Sequence, residues 1–285
     1  MVQHLRTNLN LTDLPEVERP RLLLQAAQAG HEKTVELLLE EGFADAKSGI
    51  TIQKLLCTAV RNGHVTLVEL LLARDDIDVS AKDTDGGTPL YYAAKKGQEA
   101  VVKLLLARDD IDVNAKDTDR VKLLLARGNI DVNAEDTYRG TPLYYAAKGG
   151  QVAVVKLLLA RDDIDVNSKD YFKDTALHFA ASVGNEAVVK LLLARDNIDV
   201  NSKDYSRSTP LYCAVERGQE AVVKLLLARA DIDVNSRDRS GRTSLYYAAE
   251  KGQEAIVKLL LARNDVDIVL GDDEGHTPLS IAREY

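Results

Sequence analysis

A repeat with a fixed period of 34 residues constrains this chain more than any other feature. A Thr opens each unit at Thr141, Thr175, Thr209, Thr243 and Thr277, every one 34 residues after the last. Upstream, Thr88 stands 53 residues before Thr141. A period of this length is the signature of a solenoid, in which each unit leans on its neighbours instead of surrounding a central core.

The unit Thr141 to Asp174 shows the local physics. Thr141 before Pro142 reads as an N-cap followed by a proline at the first helical position. There the hydroxyl satisfies an orphan N–H and the ring has none to leave open. Four of the six prolines occupy this place: Pro89, Pro142, Pro210 and Pro278. Leu143, Ala146 and Ala147 make a short helix with a small-residue side, and Gly149 and Gly150 end it. A second helix over Val152 to Arg161 is apolar nearly all round, so neighbours must cover it fore and aft. In other copies Glu99, Glu186, Glu220 and Glu254 precede Lys103, Lys190, Lys224 and Lys258 by four residues, a pairing that adds ~0.3 kcal/mol each. Arg161, Arg195 and Arg229 complement the helix C-terminus. The closing DDIDVNSKD alternates β-branched with polar residues, as in a short hairpin arm.

A helix pair opened by Thr-Pro-Leu, a Gly between the helices, and an Asp-Val-Asn segment before the next Thr resembles the ankyrin repeat over roughly residues 21 to 285. The resemblance implies an all-α repeat solenoid of antiparallel helix pairs with β-hairpin fingers, and protein binding on a concave face of fingers and inner helices. It implies no catalysis and no cofactor. Three departures stand out. The family's His after Leu is here Tyr91, Tyr144, Tyr212 and Tyr246, with only His178 keeping it. The link from outer helix to finger is one residue longer. The finger-turn Gly survives at Gly86, Gly241 and Gly275 but becomes Arg139, Lys173 and Arg207. If the backbone there keeps a positive φ, each non-Gly residue costs about 1 kcal/mol.

Along the chain, residues 1–20 lie outside the repeat as a capping segment. Units begin near residues 21, 54, 88, 120, 141, 175, 209, 243 and 277. The first two lack the Thr-Pro start, so their fingers are expected to be degenerate. Between Asp119 and Val121 sixteen residues of the pattern are replaced by Arg120, a net loss of 15. Residues 120–128 are therefore expected as a lone helix that offsets the stack. The unit at Thr277 stops at Tyr285 inside its inner helix, so residues 265–285 are expected to open readily. The stop leaves room for a second reading, in which this is the repeat region of a larger signalling or ubiquitin-ligase-type protein.

Composition excludes several functions. The chain has 45% hydrophobic residues, no Trp and a formal net charge of -8, which argues against general nucleic-acid affinity. Cys57 and Cys213 fall in inner helices of distant units, so a disulfide is implausible and a reducing intracellular setting, cytoplasmic or nuclear, fits. No apolar run reaches membrane-spanning length, and the N-terminus lacks a signal-peptide core. No Cys or His pair has zinc-ligand spacing, and DDIDVN matches a calcium loop in acidity alone. The Asp residues are explained by turn chemistry. His31 and His64 follow the inter-helix Gly at a repeat position, which marks them as structural.

One constellation rises above scaffold. Of eleven tyrosines, three lie on fingers: Tyr138, Tyr171 and Tyr205. Phe172 joins them, with Arg139, Lys173, Arg207, Arg239 and Arg242 at neighbouring tip positions. Lys148 and Arg217 at inner-helix ends extend the set. Exposed aromatic and Arg residues are the types enriched at binding hot spots. The expected partner is a protein with an acidic, partly apolar segment, bound by a monomeric chain with no nucleic acid or membrane involved.

Overall fold

The computed structural model describes residues 15, 18–44, 51–74, 77–107 and 130–283. The lone helix expected at 120–128 lies outside these residues. Contacts divide the chain into two compact units that meet between Thr137 and Tyr138.

The first unit contains three helix pairs among its described residues. They are α1 (Glu18–Ala29) with α2 (Glu32–Glu40), α3 (Ile52–Asn62) with α4 (Val65–Leu72), and α5 (Pro89–Lys96) with α6 (Glu99–Leu106). Inner helices α1, α3 and α5 pack in sequence, as do outer helices α2, α4 and α6. Leu23, Leu38, Leu55, Leu71, Leu90 and Leu105 are fully buried between them. α3 begins before the repeat position at Lys54, because the Thr51 hydroxyl accepts the Lys54 N–H and starts the helix at Ile52.

The finger of residues 130–137 stacks directly on that of residues 78–87. The Asp131 N–H donates to Ser80 Oγ at 3.1 Å across 51 residues. The equivalent bonds further on, Asp199 to Asn167 and Asp233 to Asn201, both 2.8 Å, span 32 residues. The difference is 19 residues, and 53 less 19 is the ordinary period of 34.

The second unit contains α7 (Pro142–Lys148), α8 (Val152–Leu159), α9 (Ala176–Val183), α10 (Glu186–Leu193), α11 (Pro210–Glu216), α12 (Glu220–Leu227), α13 (Ser244–Glu250), α14 (Glu254–Leu261) and α15 (Pro278–Ile281). Its inner helices pack as the row α7, α9, α11, α13, α15, and its outer helices as α8, α10, α12, α14. Each opening Thr caps its inner helix, as in the 3.3 Å bond from Tyr144 N–H to Thr141 Oγ1. Beyond α14 the apolar side chains have less cover: Ile268, Val269 and Leu279 are exposed.

The closing Arg residues act across units. Arg195 donates to the Leu159 carbonyl at 3.1 Å and Arg263 to the Leu227 carbonyl at 2.8 Å, so each caps the preceding unit's outer helix. The fingers, expected as β-hairpins, are turns; no described residue lies in a strand. Their N–H groups divide between side chains and single backbone bonds within and between turns, so no ladder forms. The Asp opening each finger accepts two backbone N–H groups, as Asp170 does from Phe172 at 2.8 Å and Asp174 at 2.9 Å. Asn167, Asn201 and Asn235 then bridge neighbouring fingers.

The Tyr in place of the family's His has a physical reason here. The Tyr144 hydroxyl donates to Asp170 Oδ2 at 2.8 Å, Tyr212 to Asp238 at 3.1 Å and Tyr246 to Asp272 at 3.0 Å. Each bond ties an inner helix to the next finger, 26 residues on. His178 reaches elsewhere, donating from Nε2 to the Ser208 carbonyl at 3.1 Å, and burial pushes its pKa down to about 4. The neutral ring can then accept the Thr175 N–H at Nδ1.

Candidate protein-binding surface

All eleven residues singled out from the sequence fall in the second unit. The structure brings most of them together at its finger tips. Successive tips are joined by backbone bonds: Tyr171 N–H to the Tyr138 carbonyl at 2.8 Å, Tyr205 to Phe172 at 2.7 Å, Arg239 to Ser206 at 2.9 Å. The three fingers therefore hold their side chains in register. Tyr138, Tyr171, Phe172 and Tyr205 are 66%, 68%, 58% and 56% exposed, values that mark them as surface-facing and not misplaced core. Tyr171 and Phe172 meet edge to face with ring centroids 5.5 Å apart. The Arg239 guanidinium lies 4.1 Å from the Tyr205 ring centroid, a cation–π contact that orients both.

The turn position decides how the basic residues are held. Arg139, Lys173 and Arg207 sit at φ of 62°, 64° and 63°, the left-handed region, where Gly86, Gly241 and Gly275 sit in the other fingers. These three are the non-glycine residues at positive φ among those described. A β-carbon there costs about 1–2 kcal/mol relative to glycine. Lys173 and Arg207 are exposed, with no partner among the described residues, so their charges are available to solvent.

The remaining candidates divide. Lys148 is exposed at the end of α7, with its ammonium 4.5 Å from the Phe179 ring centroid. Arg217, also exposed, makes a loose pair with Glu216 at 3.9 Å. Arg242 does not belong to the free border. It pairs with the buried Asp238 at 3.1 Å, in the finger whose turn carries Gly241, and its charge is spent there. Sequence position alone cannot distinguish a cation held by its own finger from one that is not.

Behind the tips lies an acidic wall. Burial, then Asp170 and Asp204, push the Asp174 carboxyl up to about 7, while Lys148 pulls it down. Asp204 is raised as well, chiefly by burial. Among the described residues no three His, Cys, Asp or Glu side chains cluster to hold a metal, and no helix is long and apolar enough to cross a membrane.

Models of ankyrin repeats match residues 1–83, 23–117, 116–170 and 164–238, and a further one matches residues 225–282. The chain belongs to the ankyrin-repeat family. Among solved structures, the ankyrin-repeat domain of Bcl-3, a member of the IkappaB family, is similar with 26% identity and a TM-score of 0.65, over 80% of this chain and 93% of that one. The ankyrin-repeat protein EF0377 is similar with 28% identity and a TM-score of 0.61, over 73% of this chain and 97% of that one. No curated protein sequence matches. Ankyrin repeats generally serve as protein–protein interaction modules, and this array shares their helical stacking.

Proposed function

We propose that this ankyrin-repeat chain is a non-catalytic scaffold that binds another protein through the finger tips of its second unit. The fitting partner presents an acidic, partly apolar segment. Its apolar side chains would lie on Tyr138, Tyr171, Phe172 and Tyr205, and its carboxylates would meet Arg139, Lys173 and Arg207. Lys148, Arg217 and Arg239 extend the positive rim.

One observation carries this reading. The fingers that hold a strained basic residue are the same three that expose aromatic rings, and the fingers with a relaxed Gly have none. Drift at unconstrained tips gives no reason for the two features to coincide, whereas a recognition surface needs both. Free thiols at Cys57 and Cys213 fit an intracellular setting.

The test is capture from a cell extract by the wild-type chain and by a Tyr171→Ala/Phe172→Ala/Tyr205→Ala variant, side by side. Partners should be lost from the variant while its circular dichroism and melting curve stay unchanged. Equal capture by both would place recognition elsewhere.

A further inference from the structure

The first unit contains a cavity of about 350 Å³ between α3 and the finger of residues 82–84. Thr51, Lys54, Cys57, Arg61, Lys82 and Asp83 are among the residues that line it. Cys57 is buried, whereas Thr51 and Lys82 are exposed, so the cavity runs from solvent down to the thiol. Burial raises the thiol pKa to about 12, so the floor is uncharged and weakly polar.

The internal repeat shows what belongs in this place. Among the described residues, seven inner helices are followed by a Gly in the left-handed conformation; six residues before that Gly stand Tyr91, Tyr144, Tyr212 and Tyr246 in four of them, His178 in α9 and Leu24 in α1. Counted back from Gly63, the same position in α3 is Cys57. Tyr144, Tyr212 and Tyr246 donate to an Asp 26 residues on, and Cys57 plus 26 is Asp83. In two units a cation four residues after the Tyr lies near its ring, Lys95 at 5.3 Å from Tyr91 and Lys148 at 5.7 Å from Tyr144; after Tyr212 and Tyr246 that place holds Glu216 and Glu250. Four after Cys57 is Arg61. The slot therefore keeps its acceptor and a cation but has no phenol at its own helix position; the hydroxyl that reaches Asp83 is that of Tyr92, on the next inner helix.

The acceptor still has room. Asp238 Oδ2 takes both the Tyr212 hydroxyl at 3.1 Å and the Arg242 guanidinium at 3.1 Å. Asp83 Oδ2 takes Arg61 at 2.6 Å and no tyrosine hydroxyl. Its Oδ1 holds the finger backbone through Asp85 and Gly87 and accepts the Tyr92 hydroxyl at 3.1 Å. Arg61 stacks on the Tyr92 ring at 4.1 Å, donates to the Tyr92 hydroxyl and pairs with Asp85 at 2.6 Å. The Lys54 and Lys82 ammonium groups have no partner among the described residues, leaving two cations at the wall for a ring's negative face.

We propose that this cavity receives the side chain of a tyrosine presented by a bound protein, its hydroxyl donating to Asp83 and its ring lying between Arg61, Lys54 and Lys82. The incoming hydroxyl would make at Asp83 the bond that Tyr144, Tyr212 and Tyr246 make internally in their own units. The site is separate from the finger-tip surface of the second unit and does not depend on it.

The test uses p-cresol, the isolated tyrosine side chain, titrated into the whole ¹⁵N-labelled protein and followed by amide chemical shifts. Saturable shifts are expected at Lys54, Cys57, Thr58 and Lys82–Thr84. Toluene, which lacks the donor, should bind about tenfold more weakly. Cys57→Tyr fills the slot from within and should abolish the shifts while raising the melting temperature; Cys57→Ala should retain them. Should Cys57→Tyr fail to fold, Cys57→Leu serves as the filling variant. The proposal is overturned by shifts that do not saturate, by toluene binding as well as cresol, or by shifts that persist when the slot is filled. Inorganic phosphate moving the same amides while cresol does not would also overturn it, marking an anion site instead.

Discussion

Two kinds of finger share one chassis in this protein. In both, an Asp gathers the backbone N–H groups of its own turn, and the turn passes through a positive φ. The finger of Asp238 satisfies that φ with Gly241, pairs its Arg with its own Asp, and shows no exposed ring. The finger of Asp170 accepts the same φ on Lys173, with its charge exposed and two aromatic rings beside it. The first holds its turn on a glycine; the second holds it on a β-carbon at positive φ, with its side chains exposed. What differs is confined to the tip, so stability and recognition can be altered separately.

The largest effect should come from what the two kinds share. Asp238→Ala removes the acceptor for two backbone N–H groups, for Tyr212 and for Arg242, and should cost about 3–4 kcal/mol in urea unfolding. Asp204 lacks the tyrosine donor, because His178 replaces it, so Asp204→Ala should cost about half as much. Equal losses would mean that the Tyr–Asp link contributes little.

Converting a relaxed finger into a strained one should show the next effect. At Gly275 nothing lies within 4 Å of an added β-carbon, so Gly275→Arg isolates the backbone strain and should cost about 1 kcal/mol. At Gly241 the added carbon meets Asp273 Oδ1 at 2.4 Å and its backbone N at 2.9 Å, so Gly241→Arg should cost about 2 kcal/mol. In the opposite direction Lys173→Gly should gain a few tenths of a kcal/mol, strain relief being partly offset by the greater freedom of unfolded glycine. A loss of stability there would show that the basic residue supports its finger.

A further effect, seen only through pH, concerns the acidic wall. The Asp174 carboxyl, held at about 7 when folded, keeps a proton that the unfolded chain releases near pH 4. Stability is therefore lost as pH rises from about 4 to about 7, and the loss is complete above that. Asp174→Asn should remove it, so the variant's stability relative to wild type should climb through that window and level off, by about 1 kcal/mol after solvent screening. A flat difference between pH 4 and pH 8 would contradict the raised carboxyl.

Most of the repeat was legible because its signals are local: Thr before Pro, Gly after the inner helix, leucines too dense for an exposed face. The exposure of Tyr138, Tyr171, Phe172 and Tyr205 was legible too, since the copies can be laid over one another. Contacts between copies were harder to read. That Arg195 caps the helix ending at Leu193 reads naturally from sequence, yet it reaches Leu159, one unit back. The Tyr–Asp link was visible as a constant spacing of 26, but only a structure gives that number a meaning. The 53-residue interval illustrates the ambiguity. It equals two periods less 15 or one period plus 19, and we propose the second because Asp131 bonds directly to Ser80. Deleting residues 109–127 restores the 34-residue spacing and should leave the melting temperature unchanged or higher; a steep fall would restore the first reading.

The central claim is that the strained basic tips are kept for binding. Its most direct test is an Arg139→Gly/Lys173→Gly/Arg207→Gly variant, compared with wild type for stability and for capture of partners from a cell extract. The account predicts a chain that melts no lower than wild type yet loses the captured partner, with affinity down at least tenfold once that partner is in hand. Undiminished capture by a chain of equal or greater stability would contradict it.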